Sequence, residues 1–133
     1  MKFEHNPRCF PLDSEAKMVD GKRVYATPDG EFYPSITTVI GNNAKKQAGL
    51  AKWRARVGKE KAAAISSRSA SRGTAFHSIT EDYLNNELEI EKYKDTPLPV
   101  VMFEQTKKTF DRIGNIYLQE AFLYSKNLEV AGR

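Results

Sequence analysis

His77 and Glu81 stand four residues apart in the segment Arg72-Gly73-Thr74-Ala75-Phe76-His77-Ser78-Ile79-Thr80-Glu81. Side chains at that spacing are separated by about 40° around a helix, so a helix through this segment sets an imidazole beside a carboxylate. Ala75, Phe76, Ile79 and Tyr83 fill the adjoining arc, which places the pair at the rim of a buried face. A neutral imidazole and a carboxylate there can hold a divalent ion or orient a water. The same pair also arises on surfaces where the two groups simply hydrogen-bond each other. A second carboxylate, Glu120, interrupts the apolar run 116–124 and shares the face of Leu118 and Phe122 if that run is a strand. A lone carboxylate is costly to bury, so Glu120 either serves a site or reaches water at a strand end. Glu81 and Glu120 are the candidate catalytic carboxylates, and His77 is the candidate metal ligand.

The other chemically loaded stretch is cationic. Between Lys45 and Arg72 there are nine basic residues against the single acid Glu60, whereas the whole chain carries a formal charge of only +4. Local positive potential of this kind suits a polyanion, and the bland counterpart is a solvated helical face. Lys52, Arg54 and Arg56 flank Trp53, and Arg68 and Arg72 follow. Cations neutralise phosphates while an indole can stack on an unpaired base, which makes these six residues the candidate nucleic-acid contacts. A lone tryptophan on an amphipathic helix also serves as a core residue. A Ser-His-Asp or Cys-His nucleophile system has little support: Cys9, the only cysteine, falls in the expected irregular arm, and neither His5 nor His77 has a motif linking it to a nucleophile. Phosphate-loop and dinucleotide fingerprints are absent from the sequence.

Elements must position these groups. The composition is globular, with 40% apolar and 29% charged residues. No apolar run approaches bilayer length and the opening residues lack a signal-peptide core, so a soluble, cytoplasmic protein is expected. Residues 1–21, with Pro7 and Pro11, read as an irregular arm. Lys22 to Thr27, the turn Pro28-Asp29-Gly30, and Glu31 to Tyr33 predict a β-hairpin. Ser35 can cap a short helix over 36–40 that Gly41 stops, although its β-branched residues suit a strand equally. Three helices are predicted at 44–57, 59–70 and 73–87, with Gly58 and Gly73 as breaks. A charged linker over 88–99 leads to an amphipathic helix from Val100 that closes at Gly114. Strands at 116–124 and 128–131 around the turn Ser125-Lys126-Asn127 finish the chain. A two-stranded ribbon with an open apolar edge is marginal alone, so another chain or a longer protein is expected to complete the sheet.

Taken in order, these pieces resemble the PD-(D/E)XK exonucleases of the RecB type, particularly phage enzymes similar to the mitochondrial genome maintenance exonuclease. The resemblance spans about residues 22–133. It is carried by Tyr33-Pro34-Ser35-Ile36-Thr37-Thr38-Val39 after a hairpin, Trp53 in a basic helix, Arg72-Gly73-Thr74 with His77 and Glu81, and Glu120 followed by Leu128-Glu129-Val130-Ala131-Gly132-Arg133. It implies an α+β fold: an N-terminal hairpin, a helical segment, and the first strands of a restriction-endonuclease-like core that is incomplete in this chain. It further implies Mg²⁺ or Mn²⁺ as cofactor with His77 as ligand, and single-stranded DNA or DNA ends as partner. The family's catalytic aspartate and acid-x-lysine strand would follow Arg133, so little cleavage is expected of this chain alone. A phage protein acting in a bacterial host is the implied source. Two other readings stay open: a non-catalytic single-strand-binding module, and an interaction protein whose terminal β-hairpin self-associates or joins a partner's sheet.

Overall fold

The computed structural model describes residues 3–6 and 12–133. Cys9, Pro7 and Pro11 lie outside the described residues, and with them part of the expected arm. In chain order the elements are β1 (Glu4–His5), β2 (Ala16–Val19), β3 (Lys22–Ala26), β4 (Phe32–Pro34), α1 (Ile36–Gly41), α2 (Ala44–Val57), α3 (Lys59–Leu84), a 3-10 turn (Ile90–Tyr93), α4 (Pro97–Phe110), β5 (Asn115–Ile116), β6 (Leu123–Ser125) and β7 (Val130–Gly132). The class is α+β. The chain divides into two compact units, one formed by Met1–Arg8 with Val57–Gln119 and the other by Cys9–Arg56 with Glu120–Arg133. These borders differ from the expected division into an arm, 1–21, and one partial domain, 22–133.

The first unit is built on α3 and α4. Ile79, at 0% exposure, and Phe103, at 1%, are its most deeply buried large side chains, with Phe3, Tyr83 and Ile116 around them. Tyr83 meets Phe3 and Phe103 edge-on, each at 5.1 Å between ring centroids. Its hydroxyl donates to Asp111 Oδ1 just past the end of α4, and Lys107 Nζ donates to Asp111 Oδ2 at 3.0 Å. Those two donors hold the Asp111 carboxyl below the usual carboxylate range, the tyrosine bond being the larger cause. Tyr93 donates to Asp82 Oδ2 at 2.7 Å. Burial, aided by that carboxylate, pushes the Tyr93 phenol up to about 12. Asn86, in the left-handed region at φ 62°, clamps the chain start: its Oδ1 accepts from Phe3 N at 2.7 Å and its Nδ2 donates to Phe3 O at 2.9 Å. The clamp sets β1 parallel to β5, pairing Glu4 with Asn115 and His5 with Ile116.

In the second unit β2, β3 and β4 form an antiparallel meander, and β6 and β7 form a hairpin. Ser35 extends β4 into a single parallel bridge with Ala131 of β7. The core is aromatic: Tyr25 and Phe122 lie 5.6 Å apart by ring centroids, and Phe122 stacks on Tyr124 at 5.8 Å. Ser35 is the cap of α1, accepting from Thr38 N at 3.1 Å, so the residues 36–40 are helix and not strand.

Four expectations are corrected. The arm 1–21 contains β1 and β2; the turn joining β2 to β3 is Asp20-Gly21 at φ 50° and 73°, a positive-φ pair whose twist matches that of the strands it connects. Helices 59–70 and 73–87 are one helix, α3, because a single interior glycine costs only about 1 kcal/mol and surrounding turns outvote it. The linker 88–99 carries the 3-10 turn, and α4 starts at Pro97, whose missing N–H is harmless in a first turn, and ends at Phe110. The run 116–124 is not one strand. Only its ends, in β5 and β6, are paired, and Glu120 sits between them in the left-handed region at φ 49°.

Candidate nucleic-acid interface

At about 100° per residue, α2 sorts its side chains into two stripes. Lys45, Lys52 and Arg56, at spacing i, i+7, i+11, fall within about 40° of one another and line roughly 16 Å of helix. Leu50, Trp53 and Val57 form a different stripe and are the half-buried residues of α2, while the three cations are exposed. Trp53 therefore belongs to the apolar arc, about 100° around from Lys52. Arg54 is exposed but lies off both stripes.

The first half of α3 repeats the cationic spacing with Lys61, Arg68 and Arg72, again within about 40° and over about 16 Å. All three are exposed. Further along the same side come Phe76, Ile79 and Tyr83, which turn into the core of the first unit. One face of this helix is thus cationic and solvated in its first half and apolar and packed in its second. Among the described residues the ion pairs are Lys92 with Glu89, Lys107 with Asp111, Lys126 with Asp29, and Arg133 with Asp13, so none of the six stripe cations is neutralised by a carboxylate.

His77 and Glu81 do share a face, as their spacing demands, and both are exposed, but they lie about 100–160° around α3 from Phe76, Ile79 and Tyr83, so their expected place at the rim of that arc does not hold. Among the described residues no hydrogen bond joins them. The continuity of α3 through Gly73 has a further effect: five residues of unbroken helix rotate His77 about 140° from Arg72, and nine rotate it about 180° from Arg68. The imidazole is therefore not beside the cations but across the helix from them. Glu120 belongs to the other unit, exposed, with its backbone carbonyl accepting from Arg133 Nε at 2.7 Å. Of its two expected places, a site or a strand end open to water, the exposure fits the second, although the residue stands between β5 and β6 and not in a strand.

A divalent ion was the implied cofactor, and the donors bear on that directly. Mg²⁺ takes near-octahedral oxygen ligation, usually through one or two carboxylates with water and phosphate filling the rest. His77 and Glu81 offer one nitrogen and one carboxylate on an open helix surface, and no group of three histidine, cysteine, aspartate or glutamate side chains converges among the described residues. The residues present do not fit such an ion by themselves.

Reasoning from sequence does not single out Lys45 or Lys61 individually; the i, i+7, i+11 spacing is the signal that finds them. Gln119 carries no such signal, yet its Nε2 donates to the Glu81 carbonyl at 3.2 Å and fastens the stretch after β5 to α3, while its Oε1 is buried without a partner among the described residues. Comparison with protein-family models, with curated proteins and with solved structures found no match to this chain.

Proposed function

We propose that the chain binds single-stranded DNA or DNA strand ends through the exposed cations of α2 and α3, as the strand-holding part of a metal-dependent exonuclease with a restriction-endonuclease-like core. The observation that carries this reading is the pair of cationic stripes: six exposed lysines and arginines in helical register, none in an ion pair among the described residues. A row of unpaired cations on a helix raises the local positive potential, and a phosphodiester chain is a polyanion that such a potential attracts. The nuclease assignment draws its support from the order of motifs from Tyr33 to Arg133. The metal-ligand role of His77 and the catalytic roles of Glu81 and Glu120 belong to that assignment, and Mg²⁺ or Mn²⁺ needs further carboxylates beside them.

Labelled single strands incubated with the protein and Mn²⁺ or Mg²⁺ test the reading, with retention and strand shortening followed together. Retention that falls steeply with salt, without shortening, is the expected result for this chain. An affinity indifferent to salt, or no retention at low salt, overturns it. His77→Ala is expected to leave retention unchanged, because the ring faces away from the cations.

A second reading has its own observation. Among the described residues β6 pairs only with β7, and Leu123 and Leu128 beside that open edge are 66% and 72% exposed. An open groove of about 400 Å³, lined by Ile36, Leu123, Tyr124, Val130 and Gly132, adjoins it. An edge strand without charge invites another strand. Self-association or pairing with a partner through the terminal hairpin predicts a mass that rises with concentration and falls back in Leu123→Lys. A constant monomer mass removes the reading.

A further inference from the structure

The sides of α2 and α3 that carry the cations carry no fully exposed aromatic ring. Around Lys61, Arg68 and Arg72 the neighbouring positions on the helix surface are Ala64, Ile65, Ser69, Ser71, Ala75 and Phe76, and Phe76 is half-buried against the core of the first unit. The aromatic rings that follow on that side, Phe76 and Tyr83, are committed to the core of the first unit. On α2 the only tryptophan of the chain stands with Leu50 and Val57, off the stripe of Lys45, Lys52 and Arg56. Single-strand-binding surfaces ordinarily combine a cationic track with aromatic platforms, and it is the platforms and the base-edge contacts that respond to base identity.

We infer that each stripe, taken by itself, holds a single strand by its phosphates alone, so that the partner is any single-stranded nucleic acid, with neither base nor sugar discriminated. The inference rests on the strand-binding function proposed above, specifies its contacts as phosphate contacts, and extends its partner from DNA to RNA. Contacts to phosphate oxygens carry no sequence information, and nothing on either stripe is placed to sense a ribose 2′-hydroxyl against its absence. Each stripe is a straight row of three cations spaced about 10 Å and 6 Å along the helix axis, a geometry that follows a backbone and not a base plane.

Fluorescence anisotropy with end-labelled oligo(dT), oligo(dA) and oligo(U) of equal length tests this on the full chain. Dissociation constants within about threefold of one another are expected, with Trp53 emission unchanged at saturation. Lys61→Gln/Arg68→Gln/Arg72→Gln removes three phosphate contacts; the salt dependence of affinity should become shallower by about 2 in logarithmic slope, and affinity near 0.1 M salt should drop by about a hundredfold. Lys94→Gln/Lys108→Gln/Arg112→Gln removes equal charge from elsewhere in the same unit and should cost less than about fivefold. Circular dichroism establishes that both variants keep their helices.

A preference of more than about tenfold among the three oligonucleotides, or strong quenching of Trp53, overturns the inference while leaving strand binding intact. A wild-type salt slope in the stripe variant overturns it as well, by placing the contacts elsewhere. If the wild-type protein binds none of the three strands at low salt, the proposed function itself fails and takes the inference with it.

Discussion

Gly73→Ala asks whether α3 is one helix, the point on which the separation of His77 from Arg68 and Arg72 depends. In the structure Gly73 is interior to α3, its φ is not positive, and a methyl group built on its Cα meets no atom within 4 Å. The substitution therefore creates no clash and forces no strained backbone. What remains is the difference in helix propensity, about 1 kcal/mol in favour of alanine, which acts through the larger entropy that glycine loses on folding. For a domain of this size that corresponds to a rise in midpoint of roughly 3–6 °C. Gly58→Ala supplies the opposite sign from the same chemical change. Gly58 lies between α2 and α3 at φ 93° and ψ 145°, a region that residues with a Cβ scarcely enter, so alanine there should cost about 1–3 kcal/mol. Thermal and urea melts followed by circular dichroism at 222 nm read both variants. Destabilisation by Gly73→Ala would show that the chain bends at that glycine, and the opposed faces of α3 would then have to be abandoned.

Further outcomes follow from the packing and charge of the two units. Phe103→Ala removes a ring in contact with Tyr83 and Phe110 at 1% exposure and should cost about 3–5 kcal/mol in urea unfolding, with loss of near-ultraviolet ellipticity from the first unit. Because the Asp111 carboxyl is held below its ordinary value, its bonds contribute stability that is complete above the unfolded-state value near 4 and lost as pH falls through the lower folded value. Asp111→Asn should accordingly flatten the acid limb of stability measured by urea midpoints from about pH 5 downward. The Tyr93 phenol, pushed up to about 12, works in the other direction: it stabilises the neutral form below pH 10, and that contribution disappears between about 10 and 12. In an alkaline absorbance titration, Tyr93→Phe should remove the last-ionising phenol and leave the earlier ones in place. Ser35→Ala strips the cap of α1 and the hydroxyl pair with Thr38 at 2.8 Å, a loss of about 1–2 kcal/mol read by thermal melting.

Local chemistry made a large part of this molecule readable in advance. The hairpin around Pro28-Asp29-Gly30, the cap at Ser35, α2 at its full length, and the buried arc of Phe76, Ile79 and Tyr83 are each written in neighbouring residues, because turn dihedrals, orphan amides and helical periodicity act over a few positions. The positive-φ turn Asp20-Gly21 was equally written there, and Ala16–Val19 becomes a strand because that turn folds it onto Lys22–Ala26. The His77–Glu81 spacing and the cationic window are likewise properties of the chain as a string of residues.

What no short window could decide is phase and pairing. Whether Gly73 ends a helix or rides inside one depends on the summed packing of Ile79 and Tyr83 against α4, and that single outcome turns His77 away from Arg68 and Arg72. The run 116–124 is apolar and aromatic enough to read as a strand on both sides of Glu120, yet a strand exists only where a partner offers its amides: β1 does so at Ile116, β7 does so at Leu123, and among the described residues no strand does so at Glu120. The amino-acid sequence alone set the kinds of groups present and their spacing, since those rest on covalent order and local dihedral preference. Tertiary structure alone chose the directions in which those groups point, because direction follows from which distant surfaces exclude water together.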